Sequence, residues 1–232
     1  MELIWNGIRQ AVTLLVAGDP EVLGITLLSL QISGLATLLS LAVGIPLGTL
    51  LALTRFPGRS VAVSLVNTGM GLPPVVVGLF VSVFLWRSGP LGALELLYTP
   101  AAIVIAQLAI AAPIVTGLTL AAVQQIPREW RLQMLGLGAS RVQMLFLLMR
   151  EARLPMLAAL IAGFGGVISE VGASMMVGGN IRGQTRVLTT ATVLETSKGS
   201  FDVAIALSLI LLAITFFVNW ALTWIQQRRR PG

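Results

Sequence analysis

Long apolar stretches separated by short polar joints dominate this chain. A helix needs ~20 apolar residues to cross a bilayer, and windows of that kind fall at 25–53, 60–86, 101–123, 155–178 and 203–225. The pattern predicts an all-α membrane protein with five transmembrane helices. Residues 1–24 are shorter and carry Glu2, Arg9, Asp19 and Glu21. They read as an amphipathic helix lying at the membrane interface, with Gly18-Asp19-Pro20 as a break before the first span. No internal repeat or low-complexity tract divides the rest, so 25–226 reads as one transmembrane domain and 227–232 as a basic tail.

Composition agrees with that class. The 232 residues are 56% hydrophobic and 10% charged, against about a quarter charged in a soluble domain. The formal net charge of +6 does not point to nucleic acid, because the basic residues stand at the ends of apolar stretches. That placement reports membrane orientation. Five spans put the two termini on opposite sides. One side carries Arg55, Arg59, Arg128, Arg131, Arg141, Arg150, Arg153 and Arg228-Arg229-Arg230 against Glu129 and Glu151. The other carries Arg9, Arg87, Arg182, Arg186 and Lys198 against Glu2, Asp19, Glu21, Glu95, Glu195 and Asp202. The positive-inside rule then predicts an outer N-terminus, a cytoplasmic C-terminus and a multi-pass protein of the cell's inner membrane.

Two spans contain unusual chemistry. The second is interrupted at Gly71-Leu72-Pro73-Pro74, where paired prolines remove two backbone donors and free carbonyls that protein or water must satisfy. Broken helices of this kind line substrate paths in transporters, whereas Pro46 and Pro113 read as simple kinks. For Pro73-Pro74 both readings stand. In the fourth span Gly165, Ser169 and Ala173 form one small-residue ridge at helical spacing, and Ala162, Gly166 and Glu170 the next. Small ridges let helix backbones approach closely. Glu170 is the one charged side chain expected deep within a span, where a carboxylate implies an interior position. It reads as protonated or as hydrogen-bonded across packed helices, with a direct transport role as the alternative.

The chain has no Cys and no His, and so lacks thiol chemistry, the commonest general base and the usual soft metal ligands. No phosphate-binding loop is present, and the only lysine is Lys198. The spans lack the chain of acids and bases that proton-coupled carriers use. No catalytic, metal or cofactor site is expected, and any energy must come from a partner. The segment 125–155 fits such a partner: five arginines, two glutamates and a Gly138-Ala139-Ser140 turn lie between two spans. That amount of structured basic sequence between spans reads as a docking element, either for an energy-supplying protein or as a scaffold for assembly.

With these residues placed, the chain over 22–226 resembles the permease subunits of type I ATP-binding-cassette importers. Those permeases share a cytoplasmic motif of Glu-Ala-Ala, three residues, Gly, nine residues, Ile, one residue and Leu-Pro. The motif glycine corresponds to Gly138 and its end to Leu154-Pro155. Leu132-Gln133-Met134 occupy the Glu-Ala-Ala positions, and Leu154-Pro155 comes about one helical turn later than in the family pattern. Leu72-Pro73-Pro74-Val75-Val76-Val77-Gly78, Ile168-Ser169-Glu170-Val171-Gly172-Ala173 and Asn180-Ile181-Arg182-Gly183-Gln184-Thr185-Arg186 resemble the oxyanion importers for molybdate, tungstate and sulfate. Arg87-Ser88-Gly89-Pro90-Leu91-Gly92 and Leu194-Glu195-Thr196-Ser197-Lys198-Gly199 are similar to the tungstate permeases.

The resemblance implies a homodimer in membrane lipid, an ATP-binding-cassette ATPase partner carrying ATP and Mg, and an extracytoplasmic substrate-binding protein. It places ATPase coupling on Leu135, Gly138, Ala139, Ser140 and Arg141, and a pathway or gate at Pro73, Pro74, Ser169 and Glu170. Arg182 and Arg186 would meet either the released anion or acidic residues of the binding protein or partner subunit. Other readings are a molybdate permease, a self-sufficient channel or carrier, and a non-transporting assembly factor.

Overall fold

The computed structural model of the chain describes residues 2–228, in which α-helices follow one another with no strand among the described residues. They are α1 (Glu2–Val16), α2 (Pro20–Leu53), α3 (Arg59–Met70), α4 (Pro74–Leu85), α5 (Pro100–Gln124), α6 (Arg128–Gly136), α7 (Arg141–Glu151), α8 (Arg153–Ile168), α9 (Gly172–Gly178), α10 (Leu188–Ser197) and α11 (Phe201–Arg228), with a 3-10 turn at Gly92–Leu94. Three helices are long and apolar enough to cross a membrane: α2, α5 and α11. Two more spans arise if α3 with α4, bent by 105°, and α8 with α9, bent by 58°, each count as one. The expected basic tail from Arg229 onward lies outside the described residues.

The first span begins earlier than its hydropathy window. Asp19 caps α2, its Oδ1 accepting from the backbone N–H of Glu21 (3.0 Å) and Val22 (2.9 Å), and Pro20 occupies the first helical turn without losing a needed donor. The boundary expected after residue 24 therefore falls inside α2. The segment before it is helical, as expected, but α1 packs on α11. Gly7 permits this, because a Cβ there would lie 2.3 Å from Ile205 Cγ2.

α2 and α5 form the centre of the bundle. A Cβ on Gly44 would lie 2.7 Å from Val115 Cγ1, and one on Gly48 would lie 2.5 Å from the Thr116 carbonyl oxygen. These two glycines, four residues apart, let the backbones meet. Pro46 and Pro113 lie inside continuous helices. Outward, the bundle presents large apolar side chains, among them Leu38, Leu65, Phe80, Leu212 and Phe217, as a surface facing lipid requires.

The fourth span differs from the reading as one helix. α8 ends at Ile168 and α9 starts at Gly172, so Ala173 does not continue the ridge of Gly165 and Ser169. Nor do those small residues bring helices together within this chain. A Cβ on Gly165 would meet nothing within 4 Å, and one on Gly166 would touch only Ile114 Cδ1 at 3.9 Å. Gly163, one position the ridges omit, is the packed one, with Val115 Cγ2 3.3 Å from a Cβ placed there.

Candidate functional site

The two helix breaks stand against each other. α4, which starts at Pro74, packs on α9, and glycines make the contact close. A Cβ on Gly172 would lie 2.6 Å from Val75 Cγ2, and one on Gly78 would lie 2.6 Å from Ala173 Cα. Pro73, Pro74 and Glu170 are thus gathered at one junction, and the 105° bend at the prolines far exceeds a kink.

Backbone groups released by the second break find protein partners. Glu170 is only 8% exposed, and its Oε1 accepts from the Ala173 N–H at 2.8 Å. The Glu170 carbonyl accepts from Thr189 Oγ1 at 3.0 Å, and the Val167 carbonyl from Gln107 Nε2 at 3.0 Å. The interhelical bond expected of the carboxylate is therefore replaced by a local one. The side chain satisfies the start of α9, while Thr189 and Gln107 supply the ties to α10 and α5. Glu170→Ala should leave a buried N–H unpaired and cost about 1–3 kcal/mol, seen as a lower unfolding temperature of the purified chain. Glu170→Gln keeps a carbonyl acceptor and should retain both stability and uptake. A Gln variant as impaired as the Ala variant would show that the charge itself is required.

Ser169 faces the opposite way. It is exposed, donates to the Gly165 carbonyl at 2.8 Å and lines a cleft of about 600 Å³ with Thr189, Thr192, Ser208, Thr215 and Asn219. Most of these hydroxyl protons are spent on carbonyls one turn back, as in Thr192 to Leu188 (2.8 Å), Ser208 to Ala204 (2.8 Å) and Thr215 to Leu211 (2.8 Å). Val171, Val193, Leu211, Leu212 and Phe216 make up most of the wall, so the cleft is mainly apolar with a few hydroxyls whose protons are already committed.

Between α9 and α10 the chain makes a built loop. Gly179, Asn180 and Gly183 adopt positive φ. Buried Thr185 donates to the Gly178 carbonyl at 2.5 Å and accepts from the Ile181 N–H at 2.9 Å. Arg182 and Arg186 emerge from this frame and converge on Glu21 in the first turn of α2. Arg182 grips both carboxylate oxygens, with Nε at 2.8 Å, and Arg186 Nη1 reaches Oε1 at 3.4 Å. The hydrogen bond to Glu21, followed by its charge, raises the Arg182 guanidinium above its ordinary range. Either the released anion or acidic residues of another protein were expected opposite these arginines, and within this chain they meet Glu21. The cluster carries two positive charges and one negative, beside a cavity of about 530 Å³ that Gln31 and Gln184 also line.

On the remaining face α6 and α7 form a hairpin. Gly138, at φ +86, turns the chain, and Ser140 restarts it. Ser140 Oγ accepts from the Gln143 N–H (3.2 Å), and Gln143 Oε1 accepts from the Ser140 N–H (2.8 Å), a reciprocal cap. Fully buried Leu148 anchors α7 among Val123, Ile126 and Ala152. The tip projects: Leu135, Leu137, Val142 and Phe146 are exposed, Leu137 by 81% and Val142 by 78%. Arg141 and Ser140 are exposed too, while Ala139 is half-buried. The exposed apolar tip is framed by arginines that make no ion pair among the described residues.

The chain is thus a broken-helix membrane bundle with a projecting hairpin. The chain belongs to the family of inner membrane components of binding-protein-dependent transport systems, which matches residues 44–231. It is 40% identical over 229 residues to the tungstate uptake system permease protein TupB of Peptoclostridium acidaminophilum, covering 98% of this chain and all of that one. It is 33% identical over 220 residues to TupB of Campylobacter jejuni, covering 95% of this chain and 92% of the other. Its fold matches the inward-facing MetNI methionine ABC transporter with a TM-score of 0.72 at 18% identity, over 92% of this chain and 99% of that one.

Sequence reasoning singled out Pro73-Pro74, Gly138, Glu170, Arg182 and Arg186, and the structure has the break and the turn it expected at the first two. It missed Gln107, Thr189 and Glu21. Gln107, 2% exposed in the middle of α5, is a polar residue within an apolar run, a signal present in the sequence.

Proposed function

We propose that this chain is the permease subunit of an ATP-binding-cassette importer that carries a tetrahedral oxyanion, tungstate, into the cytoplasm. A homodimer would form the path, a separate ATPase holding ATP and Mg would drive it, and an extracytoplasmic protein would deliver the ion. The observation that carries this reading is the α6–α7 hairpin, whose capped, anchored base and apolar tip suit a groove on a motor protein. Likeness to two tungstate permeases over nearly the whole chain supports the substrate. Charge asymmetry supports a cytoplasmic hairpin and an outer N-terminus.

In this reading the Arg182–Arg186 pair meets the arriving anion already half neutralised by Glu21. A tethered carboxylate must be displaced before two guanidiniums can close on the ion, which favours brief capture over trapping. The mainly apolar cleft beside Ser169 would be covered by the second copy, its few hydroxyls already committed to carbonyls of their own helices. The paired breaks at Pro73-Pro74 and Glu170 would act as the joint on which the gate moves.

The chain has no native cysteine, so a Leu137→Cys variant tests the hairpin cleanly. It should react with an impermeant thiol reagent only from the cytoplasmic side, and should cross-link to the co-expressed ATPase. Labelling from outside, or full labelling in the assembled complex without any cross-link, would contradict the assignment.

A further inference from the structure

Beside the hairpin lies a cavity of about 720 Å³, lined in part by the hairpin's own Leu135 and Met144, to which the transport reading assigns no ligand. Four arginines from separate stretches line it: Arg55 and Arg59 at the turn into α3, and Arg128 and Arg131 at the start of α6. No carboxylate is among the described residues that line it, and none of the four makes an ion pair among the described residues. Arg59 Nε donates to the Leu51 carbonyl at 2.8 Å, which pins that guanidinium to the end of α2. Arg131 Nε is buried with no partner, an arrangement that costs free energy unless something occupies the space it faces.

The start of α6 adds to the charge. No side chain caps it, and its free N–H groups carry the positive end of the helix dipole. Glu129 in that first turn offsets part of the dipole, but it is not among the residues that line the cavity. Membrane orientation explains why this face is basic. It does not explain why four guanidiniums from two separate stretches of the chain line one concavity.

We infer that this cavity is a binding site for a tetrahedral oxyanion group, either the phosphate of an anionic lipid at the membrane rim or a free dianion from solution. Guanidinium forks match such groups with paired charge-assisted hydrogen bonds. Bound there, the anion would join the end of α2 and the start of α3 to α6, and so set the posture of the hairpin. This assignment rests on the cavity alone and stands whether or not the transported ion is tungstate.

The test compares the full chain with an Arg128→Gln/Arg131→Gln variant. For the lipid source, both are purified from membranes and their retained phosphatidylglycerol and phosphatidic acid are measured by native mass spectrometry. For the solution source, both are placed in phosphatidylcholine nanodiscs and titrated with inorganic phosphate and with tungstate. Loss of two charge-assisted forks should weaken binding by about tenfold or more in one of these arms. The arm affected identifies the source. Arg55→Gln, on an exposed turn, replaces the double variant if that fails to fold, and should show the same loss in smaller degree. Equal lipid retention and equal anion binding in variant and parent would overturn the site. So would a variant whose only defect is loss of the partner ATPase, since the arginines would then belong to a protein interface.

Discussion

Replacing Gly138 by Val should leave the membrane bundle folded and lower substrate-stimulated ATP hydrolysis by the assembled transporter by about tenfold. The reason is confined to the backbone. Gly138 holds φ at +86, and a Cβ there would meet nothing within 4 Å. No clash is introduced, and the whole penalty comes from forcing a β-branched residue into left-handed space, a cost of about 1–3 kcal/mol. The hairpin relieves that strain most cheaply by re-aiming α7 against α6, which splits the apolar tip formed by Leu137, Val142 and Phe146. Asn tolerates the same φ, so Gly138→Asn should behave nearly as the parent. Stimulated hydrolysis at the parental rate in the Val variant would remove the hairpin from the coupling path.

The second large effect lies at the junction of the breaks. Gly172→Ala places a methyl 2.6 Å from Val75 Cγ2, closer than packed carbon atoms tolerate, and overpacking of this kind costs about 1–3 kcal/mol. α9 has to shift away from α4, taking the Glu170 cap with it, so both unfolding temperature and uptake should fall. Val75 is half exposed and its removal alone should matter little. The double variant Val75→Ala/Gly172→Ala deletes the clashing methyl and should recover most of both losses, a coupling that two independent sites would not show. If the double variant is no better than Gly172→Ala, the contact between the breaks is not what holds the junction.

How much of this could be read from the sequence depends on how local its cause is. The apolar windows gave the spans, because burial in lipid demands a long uninterrupted pattern. Pro73-Pro74 announced its break, since proline cannot donate. The break at 169–171 has no proline, and Ile168-Ser169-Glu170-Val171-Gly172 reads as ordinary helix. What turns the chain is a tertiary balance in which the Glu170 carboxylate takes the Ala173 N–H and Thr189 and Gln107 take the freed carbonyls. Gly44 and Gly48 have the spacing of a close helix crossing, a signal the sequence reading passed over, whereas the ridge on Gly165 and Gly166 had the same look without a close partner among the described residues. The Glu21 pairing lies 161 residues from Arg182, beyond the reach of any periodicity. The hairpin was the most legible site, because its turn, cap and arginines are all local in sequence.

The central claim is that this chain, with a motor and a delivery protein, moves a tetrahedral oxyanion inward. Its most direct test is uptake into proteoliposomes that contain the chain and its partner ATPase, with the binding protein outside and ATP inside. Tungstate should accumulate in an ATP-dependent manner, with molybdate a weaker competitor and sulfate weaker still. Accumulation without ATP, or ATP-dependent uptake that none of the three anions supports, would contradict the account.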